Sequence, residues 1–184
     1  MMKKNLKEKP IEVKDLLSED LCTFFSSLTL TKTKTFHSFP GPGGALSHNQ
    51  HSHLNPIVNH FLDFLQPKLE KILDIKIKPT FGYNRVYFSS SQLEHHTDRE
   101  SCEIACTITI NYYYENKDYK WPLIVGDVPY VIEKGNALLY SGTEIVHWRP
   151  LFTQPTNSWH HQLMLFYVYA DGKFKDTIRE KYDE

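Results

Sequence analysis

The chain has 184 residues, with Lys+Arg 21 against Asp+Glu 22 and 40% hydrophobic content. That suffices for one sizeable core and is too short for two ordinary domains. A formal net charge of −1 gives no general attraction to nucleic acid or to an anionic membrane surface and argues against both as partners.

The longest apolar run, Leu163 to Ala170, is far short of the roughly 20 residues that span a bilayer. Met1 to Pro10 carries lysines with no apolar stretch behind them, which does not read as a secretory signal. Three cysteines (Cys22, Cys102, Cys106) fit a reducing compartment better than a disulfide scaffold. The expectation is a single cytoplasmic domain over residues 1–184: helix and loop in 1–75, a β core in 76–170, and a charged tail in 171–184.

In chain order, Leu16–Leu28 predicts a helix capped by Ser18, with Leu21, Phe24, Phe25 and Leu28 on its apolar face. Lys32 to His53 lacks helical periodicity and holds the turn-rich run Phe39-Pro40-Gly41-Pro42-Gly43-Gly44, which makes it a candidate lid. His48, His51 and His53 in this loop lack a fourth ligand at zinc spacing and read as solvated. Asn55-Pro56 predicts the start of a second helix, with Ile57, Phe61, Leu65, Leu69 and Ile72 at near-helical spacing and Pro67 expected to kink or split it.

From Ile75 the period changes to two. Tyr83, Arg85 and Tyr87 share one face, with Val86 and Phe88 on the other. Further strands are expected at Ile104–Tyr114, Leu123–Gly126, Tyr130–Ile132, Ala137–Tyr140, Glu144–Arg149 and His161–Tyr169, with a loop at Ser89–Glu94. Aromatic residues make up 14% of the chain, a composition suited to half-buried pleated surfaces. Short β segments at this spacing suggest a sandwich or barrel with helices packed outside it.

The chemistry lies in His96-Thr97-Asp98 and His147. On a strand-like segment residues i and i+2 point to one side, so His96 and Asp98 can converge on one ion. A histidine from a later strand completes a two-histidine, one-carboxylate face with open positions opposite, the set expected for a non-haem Fe(II) oxygenase. A lone His-x-Asp is a common accident; the turn, strand, turn and strand of Gly135 to Arg149 that deliver His147 give it weight.

Three segments, Phe81 to Tyr87, Leu93 to Glu103 and Gly135 to Arg149, resemble the 2-oxoglutarate- and Fe(II)-dependent oxygenases, most of all the small prolyl-4-hydroxylase-like proteins. The resemblance covers roughly Leu54 to Asp171. It implies an α+β, mainly β fold, a double-stranded β-helix (jelly-roll) core flanked by N-terminal helices. It also implies that His96, Asp98 and His147 hold Fe(II), with 2-oxoglutarate and O2 as cosubstrates. The reaction implied is hydroxylation of an unactivated C–H, with a prolyl residue of a protein or peptide as the family-based substrate and succinate and CO2 as co-products.

The usual late-strand Arg or Lys that pairs with the far carboxylate of 2-oxoglutarate is missing; Thr156 and Asn157 occupy its place. Arg149, two residues after His147 on the same strand face, is the leading candidate anchor because a guanidinium binds a carboxylate bidentately. His161 is second. Tyr87, Thr107 and Arg85 are further candidates for the cosubstrate pocket. Two alternatives stay open: a cupin-like metalloenzyme that uses no 2-oxo acid, and a non-catalytic jelly-roll binding module.

Overall fold

The period-two segments form two antiparallel sheets in a computed structural model that describes residues 5–33, 50–52 and 56–180. The strands are β1 (Ile11–Val13), β2 (Gln50–Ser52), β3 (Ile77–Phe88), β4 (Leu93–His96), β5 (Ile104–Tyr113), β6 (Leu123–Val125), β7 (Val128–Tyr130), β8 (Ala137–Tyr140), β9 (His147–Arg149) and β10 (Trp159–Tyr169). One sheet runs β1-β8-β5-β10-β3-β2 and the other β4-β9-β6-β7. This is the mainly β, jelly-roll arrangement expected from the sequence. Helices α1 (Glu19–Thr33) and α2 (Pro56–Leu73) cover the outer face of the larger sheet.

Strand β10 lies between β5 and β3, and its alternation separates two environments. Leu163, Leu165 and Tyr167 join Cys22, Phe25, Leu62, Leu65 and Leu69 in the core beneath the helices. Gln162, Met164 and Phe166 face the cavity between the sheets. Strand β3 follows the same rule, with Phe81, Tyr83, Arg85 and Tyr87 on the cavity side. On its helical side Gly82 lets α2 approach closely, because a Cβ there would lie 2.6 Å from Val58 Cγ1 and 2.8 Å from the Met164 carbonyl oxygen.

Several local expectations change. Ser18 caps α1 as expected, accepting from the Leu21 N–H at 3.3 Å. The helix is rotated from its predicted face: Cys22, Phe25 and Ser26 are buried, whereas Phe24 and Leu28 are 57% and 40% exposed. Contacts with the rest of the core set this rotation, since Phe25 packs on Phe61 at 4.9 Å and on His161 at 5.3 Å.

Helix α2 begins at Pro56 and continues through Pro67, so the proline does not split it. Leu62, Leu65, Leu69 and Leu73 stay buried on both sides of the proline, so packing outweighs one lost backbone bond. Ser89–Glu94 is a tied turn into β4: Ser90 N–H donates to the Phe152 carbonyl at 2.9 Å, and Phe152 N–H to that of Ser91 at 2.7 Å. Residues 11–13, in the part read as helix and loop, form an edge strand against β8.

The candidate lid falls mostly outside the described residues, as do His48 and His53; the backbone of residues 50–52 pairs with β3. The described part of the charged tail forms turns and docks through Arg179 and Glu180. Arg179 pairs with Asp63 at 2.6 Å, and Glu180 N–H donates to the Thr80 carbonyl at 2.9 Å. Among the described residues no helix is long and apolar enough to cross a membrane.

The junction of α2 with β3 yields a pH-dependent prediction. Glu70 accepts from Lys76 Nζ at 2.6 Å and from the Ile77 N–H at 3.1 Å. The Lys76 hydrogen bond, against opposing desolvation, holds the Glu70 carboxyl below its ordinary value. A depressed carboxylate stabilises the fold above the unfolded pKa and loses that contribution as pH falls through the folded one. Glu70→Ala is expected to cost about 1–2 kcal/mol near neutrality, from hydrogen bonds to an ionised acceptor. Urea denaturation should show the gap from wild type closing as pH falls below the ordinary carboxylate range.

Candidate metal centre

Cross-strand register brings the candidate ligands together. In the β4–β9 pair His96 stands directly opposite His147, and their ring centroids are 4.3 Å apart. Asp98 lies two residues past His96, where the chain leaves β4, and its N–H donates to the Gly142 carbonyl at 2.8 Å. Asp98 Oδ1 is 3.5 Å from His96 Nε2 and 3.6 Å from His147 Nε2. The three ligand atoms lie within 4.8 Å of one another.

The surroundings orient this set. His96 Nδ1–H donates to the Glu94 carbonyl at 2.8 Å, and His147 Nδ1–H to that of Ile145 at 3.0 Å. Both rings thereby turn Nε2 toward Asp98, the nitrogen that a metal would take. Gly142 is necessary to the arrangement because a Cβ there would overlap Asp98 Oδ2 and the Cys102 carbonyl. Tyr140 packs its ring edge-on against His147 at 4.9 Å.

Burial raises the Asp98 carboxyl, but the bonds to His147 and His96 outweigh it and bring the group below the usual carboxylate range. Asp98 Oδ2 is buried without a hydrogen-bond partner among the described residues, an expense that a coordinated cation would remove. Two imidazole nitrogens and one carboxylate oxygen on one side fit a divalent first-row metal with its remaining positions open.

The site lies in a cavity of about 270 Å³ between the sheets. His96, Asp98, His147, Arg149, Tyr87, Thr107 and Arg85 all line it. Arg149 is only 2% exposed, donates to the Trp121 carbonyl and to Gln162 Oε1 at 2.9 Å each, and stacks on the Trp121 ring at 4.5 Å. Two hydrogen bonds and one aromatic face fix the guanidinium in place. Tyr87 is fully buried, with its ring edge-on to Trp121 at 5.0 Å.

His161 lies outside this cavity. It points to the helical side, where its Nε2 meets Asn84 Oδ1 and its ring packs on Phe25. Burial lowers its pKa to about 3, so it is neutral and offers no cation for a carboxylate. Strand parity is the physical reason: His161 shares the face of Leu163 and Leu165, opposite to Gln162. Its neighbour His160 is on the inner side, hydrogen-bonded to the Tyr114 hydroxyl at 2.8 Å and edge-on to Trp121 at 5.3 Å.

Gln162, Trp121 and Gly142 are the site residues that reading the sequence missed. Gly142 stands in the quoted Gly135 to Arg149 segment, where a glycine between two strands was a usable signal. The other two act on Arg149 across long sequence separations that carry no local signature.

No protein-family model matches the chain, and no curated protein matches it in sequence. Solved structures match it in fold. A Pseudomonas putida prolyl-4-hydroxylase is 14% identical, with a TM-score of 0.65 over 87% of this chain and 92% of that one. HygX from Streptomyces hygroscopicus, with nickel and 2-oxoglutarate bound, is 10% identical, with a TM-score of 0.62 over 95% and 91%. SnoN, a non-haem α-ketoglutarate-dependent epimerase from nogalamycin biosynthesis, is 9% identical, with a TM-score of 0.67 over 95% and 90%. At these identities the likeness is one of fold: the chain has the fold of the 2-oxoglutarate- and Fe(II)-dependent oxygenases.

Proposed function

We propose that the chain is an Fe(II)- and 2-oxoglutarate-dependent oxygenase that hydroxylates an unactivated C–H of its substrate. The observation that carries this reading is a His–Asp–His ligand set sharing one cavity with a buried arginine that has no carboxylate partner among the described residues.

In this reading His96, Asp98 and His147 hold Fe(II), and Arg149 takes the distal carboxylate of 2-oxoglutarate. The metal and cosubstrate, when bound, supply the oxidising chemistry, with succinate and CO2 as co-products. The protein contributes orientation and dryness. Gln162 and Trp121 aim the Arg149 guanidinium, Tyr87 and Thr107 offer hydroxyls to the cosubstrate, and Leu93, Leu123, Met164 and Phe166 keep water from the walls. A prolyl residue as substrate is supported by the likeness to the Pseudomonas putida prolyl-4-hydroxylase alone.

Anaerobic addition of Fe(II) and then 2-oxoglutarate tests the proposal. The expected result is a visible metal-to-ligand charge-transfer band, followed by succinate formation on admitting O2. Fe(II) binding with no band would overturn the oxoglutarate assignment in favour of a cupin-like metalloprotein. Absence of Fe(II) binding would overturn the site itself.

A further inference from the structure

The cavity holds a second arginine whose situation differs from that of Arg149. Arg85 is 4% exposed on β3, between Tyr83 and Tyr87, with its guanidinium carbon 5.6 Å from each ring centroid. Its one hydrogen bond among the described residues runs from Nη1 to the Tyr87 hydroxyl at 3.3 Å, and its buried Nε has no partner. Gln162, directly across from Arg85 on β10, turns its Oε1 to Arg149 instead. A guanidinium removed from water with most of its donors uncommitted is costly unless an anion joins it.

Charge balance points the same way. Asp98 is the only carboxylate among the described cavity residues, and Arg99 at the rim is already paired with Glu180. With a divalent metal, Asp98 and dianionic 2-oxoglutarate in place, Arg85 and Arg149 leave one positive charge unbalanced. That excess calls for a monoanion. The cavity volume of about 270 Å³, which must also take the metal and 2-oxoglutarate, falls below the usual range for small-molecule pockets, roughly 300–1,000 Å³, and leaves room for a small co-occupant.

We infer that the substrate is a small carboxylic acid whose carboxylate is held by the fork of Arg85, rather than an internal residue of a polypeptide. This rests on the oxygenase reading above, since the charge count includes the metal and 2-oxoglutarate. Arg85 fixes the acid end of the substrate and so determines which C–H lies toward the metal.

Calorimetric titration of the Mn(II)-loaded protein tests the inference without turnover. 2-Oxoglutarate is titrated first. Free amino acids and 2-hydroxy acids follow, each beside its primary amide. The expected result is at least one acid that binds tenfold or more tightly than its amide. Arg85→Gln should abolish that preference while 2-oxoglutarate affinity stays within about twofold, and Arg85→Lys should restore part of it.

Loss of 2-oxoglutarate affinity by tenfold or more in Arg85→Gln would overturn the inference, because Arg85 would then hold the cosubstrate. Acids no better than amides, or no acid that binds, would also overturn it while leaving the oxygenase reading intact. Failure of 2-oxoglutarate to bind the wild-type Mn(II) protein would remove that reading and the inference together. Binding of 2-oxoglutarate to each variant reports that the cavity has formed.

Discussion

Asp98→Ala is expected to lower Fe(II) and Mn(II) affinity by more than about 100-fold, beyond the roughly tenfold to 100-fold typical of losing a partner that only orients a ligand. Asp98 is the one anionic member of the set and stands at 3.5 and 3.6 Å from the two Nε2 atoms. Without it two neutral imidazoles remain, and they do not compensate the charge of a divalent ion. Metal is expected to raise the Tm of the wild type, and that rise should be absent in the variant.

Gly142→Ala provides the comparison. It leaves all three ligands in place but drives a Cβ into Asp98 Oδ2 and the Cys102 carbonyl. An intermediate loss, about tenfold to 100-fold, is expected there. Equilibrium metal titration with a competing chelator reads both variants. Equal affinity for wild type and Asp98→Ala would remove the carboxylate from the metal site.

The difference between these two residues shows what a sequence reveals. His96 and Asp98 were legible because a spacing of two on an extended segment places both side chains on one face. Their meeting with His147 depends on the β4–β9 register, which local pattern does not encode. Long strands were likewise legible: β3, β5 and β10 have ten or more residues each, enough for alternation to stand out. Strands β6 and β8, at three and four residues, were still marked by apolar runs beside turn signals, whereas β1, β2 and β4, equally short, carry mixed or polar residues, and the sheet around them decides their pairing.

The same limit explains the cation candidates. Arg149 was assigned to the cavity by its two-residue offset from a histidine already assigned there. His161 had no such reference: at the start of a strand, the parity of two adjacent histidines depends on the tertiary packing. The structure turns His160 inward and His161 toward Phe25. The rotation of α1 is a parallel case, since Phe61 and His161 on distant elements determine which of its aromatics is buried.

Arg149→Ala is expected to weaken 2-oxoglutarate binding by roughly 30- to 5,000-fold, the equivalent of about 2–5 kcal/mol for truncating one partner of a buried, hydrogen-bonded charge pair. Fe(II) affinity should change little, because Arg149 makes its bonds to Trp121 and Gln162 rather than to a candidate ligand. The variant should also be less stable, since two buried acceptors lose their donor at about 1–3 kcal/mol each.

Arg149→Lys separates these effects. It restores the charge without the fork, so Fe(II) affinity stays, stability recovers in part, and the charge-transfer band returns only at higher 2-oxoglutarate concentration. A band titrating identically in wild type and both variants would exclude Arg149 as the anchor. Arg85 would then be the remaining cavity guanidinium without a carboxylate partner among the described residues. Anaerobic titration across Arg149→Ala, Arg149→Lys and Arg85→Gln therefore tells which of the two guanidiniums holds the cosubstrate carboxylate.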